Sequence, residues 1–501
     1  MKKNEVKYGA ILSYVLIALN SLYGLVIAPY ILGTIGESEY GVYKTIAAIT
    51  ASVSVLELGL GGTMQRFLAK YLAEKDYDKC YNFSAMGLIQ ALFLALAMAT
   101  VGGFLYFSLD GLYSATFTAT EMMRAKQLFL VLIVYTSLHI FENLFFGIIT
   151  GYNKFTFTNT VKIILLISKI LIYVVILPIF KNSLVIVLTS LLLELSTILL
   201  ELGYTKYKLK HKIKLTRWDN AVFRESFAYT ILLFVQSLLI QFNGNIDNIV
   251  IGATISTSAV TIYSFAIQIY GMYELLATAV SGVILPTITN QIHNGATSKE
   301  LEKTVVKFGR VQWMFLGIVL AGLVCFGKEF FNIWLGEKFV DCYYLSIILV
   351  VPVTFPLVVN VCLAILKAKN LLMFRTIAMG YSVAINAILT IIGVKYFGYW
   401  AAAAGTALST IIGSVISLNI YYHKKLGINV FKLYFAIGKR STLCILVSGV
   451  VGALTNLVIS GTWFALIVKG IVFVVVYFIL LWIYGLYPEE KKYIFRRVET
   501  R

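Results

Sequence analysis

The chain has 501 residues, of which 59% are hydrophobic and only 13% are charged, about half the usual charged share. Its mean hydropathy is +0.85 and it contains six prolines, so the apolar residues form long continuous stretches. This composition excludes a soluble multidomain protein and predicts an all-α integral membrane protein. The net charge of +18 would suggest a nucleic-acid partner only in a soluble protein, and none is expected here.

Fourteen hydrophobic segments are long enough to cross a bilayer, which needs about 20 apolar residues per helix. An even number places both termini on the same side of the membrane. The segments are 9–32, 42–64, 83–108, 125–149, 162–180, 183–203, 226–250, 259–287, 311–335, 343–366, 376–396, 399–421, 441–460 and 464–486.

The basic residues predict the orientation of these spans. With a cytoplasmic N-terminus, 33 of the 42 lysines and arginines lie on the inner side, eight lie at outer ends or loops, and Lys169 lies within a span. Such an excess is the usual mark of the cytoplasmic side. Most of the net charge therefore faces anionic membrane lipids, and both termini are predicted to be cytoplasmic.

Short loops limit what the chain can do. No loop exceeds about two dozen residues, and no phosphate-binding G-x-x-x-x-G-K-[ST] motif occurs, so neither a soluble catalytic domain nor ATP hydrolysis is expected. The first span is too long for a signal peptide and is expected to be retained. Five cysteines, mostly in spans or on the inner side, predict neither a disulfide framework nor a metal site. Residues 427–440 alternate apolar and basic side chains, which favours an interfacial helix.

A weak internal repeat at an offset of about 220 residues suggests duplication. Ser13 and Asn20 in the first span correspond to Gln236 and Asn243 in the seventh. Six spans separate them, so the two halves have the same orientation, as in secondary transporters with a substrate site between parallel repeats. The predicted domains are a six-helix lobe over 1–218, a second over 219–425, and helices 13 and 14 with a basic tail over 426–501.

Six charged residues fall within predicted spans, where each needs a partner or a wet cavity. They are Glu57, Glu142, Lys169, Glu194, Asp247 and Glu274. Spans five and six form a hairpin about residues 181 and 182, which puts Lys169 level with Glu194 and Lys162 level with Glu201. Glu142 of span four is level with Lys169 across the preceding turn. Lys169 is therefore either part of a structural ion pair or a cation that faces the cavity and changes partners.

Two further charged positions have open interpretations. His139 and Glu142 are three residues apart and share a helical face, which suits either a structural hydrogen bond or proton transfer. Glu57 lies in the run Leu-Glu-Leu-Gly-Leu-Gly-Gly, whose glycines permit close approach of another helix. Glu57 is either buried in that contact or exposed to a cavity.

Polar stripes mark spans seven and eight. Gln236, Asn243 and Asp247 are spaced at i, i+7 and i+11, and Tyr263, Tyr270 and Glu274 repeat that spacing. Lipid offers such side chains no hydrogen-bond partners, so these stripes face either a wet cavity or another helix.

The N-terminal motifs resemble a known family. The resemblance is carried by Gly9-Ala-Ile-Leu-Ser-Tyr, then Pro29-Tyr-Ile-Leu-Gly-Thr-Ile-Gly-Glu-Ser-Glu-Tyr-Gly-Val-Tyr43, then Leu56-Glu-Leu-Gly-Leu-Gly and Arg66-Phe-Leu-Ala-Lys-Tyr71. These runs are similar to those of the oligosaccharide flippases of bacterial polysaccharide biosynthesis. Their superfamily also contains multidrug and toxin extruders and peptidoglycan lipid flippases. The resemblance extends over the chain through its spans and repeat, with the sharpest motifs in the first 75 residues.

The resemblance implies an alternating-access transporter of the bacterial cytoplasmic membrane, without cofactor or enzymatic activity. Its substrate would be an undecaprenyl-diphosphate-linked oligosaccharide, moved outward at the expense of an H⁺ or Na⁺ gradient. On this basis we expect Lys169, with Lys44 and Arg66 near span ends, to bind the diphosphate. We expect Asn20, Gln236 and Asn243 to bind the sugars. The expected coupling-ion residues are Asp247, Glu274, Glu57, Glu142 and Glu194.

One feature departs from this expectation. The spans contain five acidic residues but a single basic one, Lys169. An acidic interior suits cationic drugs better than a diphosphate. Four basic residues near span ends could still reach inward: Lys44, Arg66, Arg124 and Arg310. A cation-coupled multidrug exporter of the same fold is therefore the main alternative. A membrane-embedded polymerase or glycosyltransferase is disfavoured, because the chain has neither a large outer loop nor an aspartate-rich motif.

Overall fold

The computed structural model describes residues 3–57, 59–281, 284–369, 371–458 and 461–491. These residues are predominantly helical and contain no strand, which confirms the predicted all-α class.

Nineteen α-helices cover most of the described chain. They are α1 (Lys3–Ile35), α2 (Glu37–Val53), α3 (Leu60–Ala73), α4 (Tyr77–Tyr113), α5 (Ala119–Gly151), α6 (Phe155–Phe180), α7 (Leu184–Gly203), α8 (Asn220–Thr254), α9 (Thr257–Ser281), α10 (Leu285–His293), α11 (Ser298–Leu335), α12 (Val340–Val358), α13 (Val361–Ala368), α14 (Met373–Phe397), α15 (Tyr399–Thr410), α16 (Leu418–Tyr421), α17 (Val430–Gly438), α18 (Ser441–Thr455) and α19 (Trp463–Leu480).

Each predicted hydrophobic segment contains at least one of these helices. Among the described residues, ten helical stretches are long and apolar enough to cross a membrane, and the bent pair α17 and α18 makes an eleventh if it is counted as one span. The multi-pass character is thus confirmed, while the count of fourteen stays a prediction.

The second predicted span is interrupted near its middle. Helix α2 passes into a 3-10 turn over Ser54–Glu57, and α3 begins after Gly59, whose φ of 64° is left-handed and favours glycine. Helix α3 then packs closely on α5, because a Cβ at Gly61 would lie 2.8 Å from the Asn143 carbonyl oxygen and one at Gly147 would lie 2.5 Å from that of Gly61. This confirms the close approach predicted from the glycines and holds the break beside α5.

The chain divides into two compact units, Met1–Thr261 and Ile262–Arg501. The N-terminal unit has two apolar clusters, one centred on α3, α4 and α5 and one that joins α2, α4 and α5. Helix α8 packs on α2 and belongs to this unit. The largest cluster of the C-terminal unit is built on α10, α11, α12, α13 and α17. The lobe boundaries predicted at 218 and 425 stay predictions.

Close contacts join the predicted outer ends of helices in the N-terminal unit. A Cβ at Gly41 of α2 would overlap the carbonyl oxygen of Thr257, and one at Gly252 of α8 would lie 2.8 Å from the Thr45 side chain. The Thr257 hydroxyl also donates to Glu121 of α5, at 2.7 Å. These contacts hold α2, α5, α8 and the start of α9 together at this end.

Helix α17 meets α18 at an angle of 54° and leaves Phe431 and Phe435 exposed. Lys432, on the same short helix, is also exposed. Exposed aromatic and basic side chains on a bent, short helix are typical of interfacial segments, as predicted for residues 427–440.

Candidate functional site

Two lysines in the N-terminal unit lie among tyrosines. The Lys169 ammonium of α6 is 5.7 Å from the ring centres of both Tyr23 and Tyr173, and the Lys44 ammonium of α2 is 5.3 Å from that of Tyr40 and 5.9 Å from that of Tyr43. The two ammonium groups are close enough to repel each other. We call this group the lysine–tyrosine site; it consists of Tyr23, Tyr40, Tyr43, Lys44, Lys169 and Tyr173.

The ion pairs predicted for Lys169 are not formed. Among the described residues, neither Lys169 nor Lys44 has a carboxylate oxygen within 4.0 Å, although Lys169 is near enough to Glu194 for the two charges to interact. The hairpin argument fixes the depth of a residue but not its direction around the helix axis. Lys169 points toward α1, on which α6 packs along most of its length, and not between the carboxylates of α5 and α7.

Four predicted polar residues meet in what we call the acid–histidine cluster. Its members are Glu57, His139, Glu142 and Glu194. His139 Nδ1 lies 2.8 Å from Glu194 Oε1 and 3.7 Å from Glu142 Oε2, while His139 Nε2 lies 3.8 Å from Glu57 Oε2. The shared face predicted for His139 and Glu142 is confirmed, but the imidazole joins three carboxylates and not one.

Local structure explains why these side chains meet. His139 and Glu142 are one turn apart on α5, and α7 packs on α5 so that Glu194 reaches the imidazole. The broken second span brings Glu57 to the same face, where the Asn143 side-chain amide donates to Glu57 Oε2 at 2.9 Å. A helix break at membrane depth is tolerated where it is enclosed by protein or lines a cavity.

Further charged groups surround the cluster. Lys162 of α6 lies 3.3 Å from Glu142 Oε1, so it pairs with α5 and not with its predicted partner Glu201. Glu201 is fully buried, and neither of its carboxyl oxygens has a hydrogen-bond partner. The Tyr135 ring stacks on His139 at 5.9 Å, with 12° between the ring planes. The side chain of His139 is 32% exposed, whereas that of Glu142 is only 3% exposed.

The remaining predicted substrate residues lie apart from the cluster. Asn20 is exposed on α1 and donates to the Leu16 carbonyl of its own helix, at 2.9 Å. Arg66 is exposed on α3. Gln236 and Asn243 are half-buried on α8, and Asn243 Oδ1 is a buried acceptor without a hydrogen-bond partner.

The other two predicted coupling residues are protected from solvent. Asp247 is 1% exposed on α8. Glu274 of α9, in the C-terminal unit, is half-buried and accepts from the Tyr270 hydroxyl at 3.2 Å. The predicted stripe of Tyr270 and Glu274 thus forms one hydrogen-bonded face.

Two of the three arginines considered near span ends, Arg124 and Arg310, are engaged in ion pairs. Arg124 Nε lies 2.9 Å from Glu39 Oε1. Arg310 is 2% exposed, lies 2.8 Å from Glu490 and also donates to the Gly485 carbonyl at 3.0 Å. These guanidinium groups serve packing in this structure, whereas neither Lys44 nor Lys169 has a carboxylate oxygen within 4.0 Å among the described residues.

A second buried histidine lies outside the membrane-spanning segments. His211, in the segment after α7, has its Nδ1 2.9 Å from the Tyr152 hydroxyl and its Nε2 2.8 Å from the Ser84 hydroxyl. Burial lowers the pKa of His211 from 6.5 to about 4, so the imidazole is neutral at physiological pH. Its contacts fasten this segment to α4 and α5.

Sequence reasoning missed the tyrosines around the lysines and the role of Asn143. Helical spacing could have indicated two of these tyrosines, because Tyr173 is one turn from Lys169 and Tyr40 is one turn from Lys44. Tyr23 comes from a different helix, and its proximity to Lys169 depends on how α1 packs on α6. No spacing within one segment could have revealed that contact.

Comparison with known proteins agrees with this architecture. The family model described as polysaccharide biosynthesis protein matches residues 6–292. A probable low-salt glycan biosynthesis flippase of Haloferax volcanii, Agl15, is 26% identical over 209 residues. That alignment covers 42% of this chain and 44% of the relative, so the match spans less than half of either protein.

Solved structures with a similar fold include two kinds of transporter. The lipid II flippase MurJ, in an inward closed conformation, aligns with a TM-score of 0.70 and 18% identity over 98% of this chain and 99% of its own. A multidrug resistance MATE family transporter of the MOP superfamily, in an inward-facing conformation, aligns with a TM-score of 0.61 and 15% identity over 82% of this chain and 95% of its own.

The family match covers more than half of the chain, includes all the N-terminal motifs that carried the resemblance, and is joined by a shared fold over nearly the whole length. The chain therefore belongs to the polysaccharide biosynthesis protein family.

Proposed function

We propose that this protein is a flippase that moves undecaprenyl-diphosphate-linked oligosaccharide from the inner to the outer leaflet of the bacterial cytoplasmic membrane. It works without enzymatic chemistry and with both termini in the cytoplasm. The observation that carries the proposal is the lysine–tyrosine site, where Lys44 and Lys169 have no carboxylate partner among the described residues. Family membership and the named function of the Haloferax relative support the same substrate class.

Electrostatics favours an anion at this site. Two ammonium groups in poorly hydrated surroundings repel each other, and an anion between them relieves that repulsion and supplies the missing counter-charge. A diphosphate offers two negatively charged groups to two lysines. The hydroxyls of Tyr23 and Tyr43 add donors for phosphate oxygens or sugar hydroxyls, while the Tyr173 hydroxyl already donates to the Ile186 carbonyl at 3.1 Å.

Neutral polar groups are proposed to contact the glycan. Asn243 has a buried side-chain oxygen without a partner, and a sugar hydroxyl can donate to it. Asn20 and Gln236 are proposed to bind sugar hydroxyls in the same way. Arg66, exposed at the end predicted to be cytoplasmic, is proposed to attract the diphosphate as it enters.

The energy source is proposed to be an inward gradient of H⁺ or Na⁺. The candidate carboxylates are Glu57, Glu142 and Glu194 of the acid–histidine cluster, with Asp247 and Glu274 as further sites. A cation that binds to the cluster changes the charge that faces Lys169, because Lys169 interacts with Glu194. Substrate binding and ion binding would thereby be linked through neighbouring charges.

Alternating access requires the outer contacts of the N-terminal unit to open. Gly41, Thr257 and Glu121 hold α2, α5 and α9 together at the end predicted to be outer. We propose that these contacts form the closed outer gate and separate when the substrate is released outward.

The proposal is tested by reconstituting the purified protein in liposomes with a fluorescent undecaprenyl-diphosphate oligosaccharide. Accessibility of the glycan to an external quencher should change only in the presence of the protein, and faster with an imposed ion gradient. Deletion of the gene should abolish a surface polysaccharide. Normal polymer in a clean deletion strain, together with no flipping in liposomes, contradicts the proposal.

A multidrug exporter is the second candidate, favoured by the acidic cluster and by the MATE-like fold. It predicts that the deletion strain becomes more sensitive to cationic dyes. Unchanged tolerance, with loss of the polysaccharide, excludes this candidate in favour of the flippase.

A further inference from the structure

The acid–histidine cluster contains a compact set of three possible metal ligands. His139 Nδ1, one Glu142 oxygen and one Glu194 oxygen all lie within 4.8 Å of one another. The imidazole nitrogen is already 2.8 Å from Glu194 Oε1 and 3.7 Å from Glu142 Oε2. Ligand atoms that share one zinc-sized ion are about 3 to 3.5 Å apart, so small side-chain adjustments suffice.

One of these ligands is buried and lacks a hydrogen-bond partner. Glu142 is 2% exposed, and its Oε2 accepts no hydrogen bond even though it points toward His139. A buried carboxylate oxygen without a partner is costly, and a cation at this position would satisfy it. This observation distinguishes the cluster from an ordinary group of acids.

Glu57 lies where metal-binding histidines usually have their outer partner. Histidine ligands commonly donate their second ring N–H to a carboxylate, which fixes the tautomer and orients the ring. Here His139 Nε2 faces Glu57 Oε2 at 3.8 Å, so the imidazole must move closer to donate to it, and Asn143 holds that same carboxylate oxygen with a 2.9 Å hydrogen bond. Nδ1 faces the two other carboxylates and lies 2.8 Å from Glu194 Oε1.

The charge of the cluster also favours a divalent ion. Among the described residues, the three carboxylates of Glu57, Glu142 and Glu194 have one lysine ammonium in direct contact, that of Lys162. With a neutral imidazole these groups carry a formal charge of −2, which one divalent cation neutralises. Glu201 and Lys169 lie further out and act on the cluster only through longer-range electrostatics.

We propose that His139, Glu142 and Glu194 bind one divalent first-row transition metal ion, with Glu57 as the outer partner of His139. One imidazole nitrogen and two carboxylate oxygens suit Mn²⁺ or Zn²⁺, whereas Na⁺ and Mg²⁺ prefer oxygen ligands alone. The partly exposed imidazole edge gives the ion a way in. Because the ligands come from α5 and α7, the bound ion ties these two helices together.

The test is a Mn²⁺ titration of the purified full-length protein in detergent after treatment with a chelator. The electron paramagnetic resonance signal of free Mn²⁺ should disappear until one equivalent has bound. Zn²⁺ should release the Mn²⁺, while excess Mg²⁺ should not. Wild-type protein that is folded by size-exclusion chromatography but binds no stoichiometric Mn²⁺ overturns the proposal.

Single substitutions test which side chains bind the metal ion. His139→Gln and Glu194→Gln should each abolish the bound equivalent, and Glu57→Gln should weaken Mn²⁺ binding about 10- to 100-fold. Glu201→Gln is the matched control, since Glu201 is buried nearby but is not a ligand, and it should leave binding unchanged. Full binding in both His139→Gln and Glu194→Gln would overturn the assignment, and the wild-type titration remains decisive if a variant does not fold.

The metal site rests on the geometry of the cluster and not on the proposed transport function. Mn²⁺ binding is measured without substrate, so a protein that binds metal but flips nothing contradicts the flippase proposal alone. A protein that flips substrate but binds no metal contradicts the metal site alone.

Discussion

The two compact units use polar residues within their spans in different ways. In the N-terminal unit, Lys44 and Lys169 lack carboxylate partners among the described residues, and four ionisable groups crowd together around His139. In the C-terminal unit, the central polar contacts are largely neutral. Asn386 Oδ1 accepts from Thr406 at 3.2 Å, and the hydroxyls of Tyr273 and Thr354 lie 2.9 Å apart.

The buried charges described in the C-terminal unit lie in close pairs. Lys469 is 2.6 Å from Glu329 and 3.1 Å from Asn456, and Arg310 is 2.8 Å from Glu490. Closely paired charges stabilise packing, whereas unpaired or crowded ones are kept at a cost in stability. We infer that the N-terminal unit carries most of the ionic work of the proposed cycle, with Glu274 as the candidate ion site of the C-terminal unit, which is otherwise chiefly a scaffold.

The largest expected effect comes from breaking the closest buried pair of the scaffold. Lys469→Met leaves the Glu329 carboxylate without its ammonium, which should lower the free energy of unfolding by about 3 to 5 kcal/mol. Thermal unfolding in detergent measures the loss, with the exposed Lys338→Met as control. A Lys469→Met protein as stable as the control would show that pairing is not what separates the two units.

A lysine-to-methionine substitution in the N-terminal unit should lower transport and not stability. Lys169→Met removes a charge-assisted contact worth about 1.5 to 3 kcal/mol to the diphosphate, so flipping should fall roughly 10- to 100-fold. Thermal stability should be unchanged or higher, because no carboxylate loses an ion pair. Lys162→Met is the comparison, since it strips Glu142 of its ammonium and should lower stability. Parallel losses of stability and flipping in Lys169→Met would indicate a structural lysine.

His211 should make the N-terminal unit sensitive to acid. Its folded pKa of about 4 is below the unfolded value of 6.5, so below pH 6.5 the unfolded state takes up a proton that the folded state does not. The stability it contributes is complete above pH 6.5 and is lost as the pH falls toward 4, by about 2 kcal/mol between pH 7 and pH 5.

Thermal unfolding across this range checks the pH effect. His211→Gln should flatten the profile, whereas His293→Gln, at an exposed histidine, should not. A profile that is unaltered in His211→Gln would assign the acid sensitivity to another group.

The smallest expected effect concerns the glycan contact. Asn243→Ala removes one neutral hydrogen bond, worth about 0.5 to 1.5 kcal/mol, and should slow flipping about two- to tenfold. Asn245→Ala is the control on the same helix, because Asn245 already donates to the Gln241 carbonyl at 2.8 Å. Equal rates for the two variants would remove Asn243 from the substrate path.

The sequence predicted well how deep each residue lies in the membrane, but it predicted poorly in which direction the side chain points around the helix axis. Hydropathy located the helices, and their caps agree with the pattern, as in the Thr118 and Glu121 capping box that opens α5. The hairpin arithmetic put Lys169, Glu194 and Glu142 at one level. Which of them touch depends on rotation about each helix axis and on the tight α3 and α5 packing at Gly61, and neither can be inferred from spacing alone.

The contact at Gly41 also limits how the proposed outer gate can move. Backbone meets backbone there, so repulsion rises steeply over a fraction of an ångström and no flexible side chain cushions partial opening. At intermediate separations the two backbone segments have neither full contact nor full hydration. The proposed gate therefore has two stable states, closed and open. A bulky residue at Gly41 would therefore act as a wedge that keeps these outer contacts of the N-terminal unit apart.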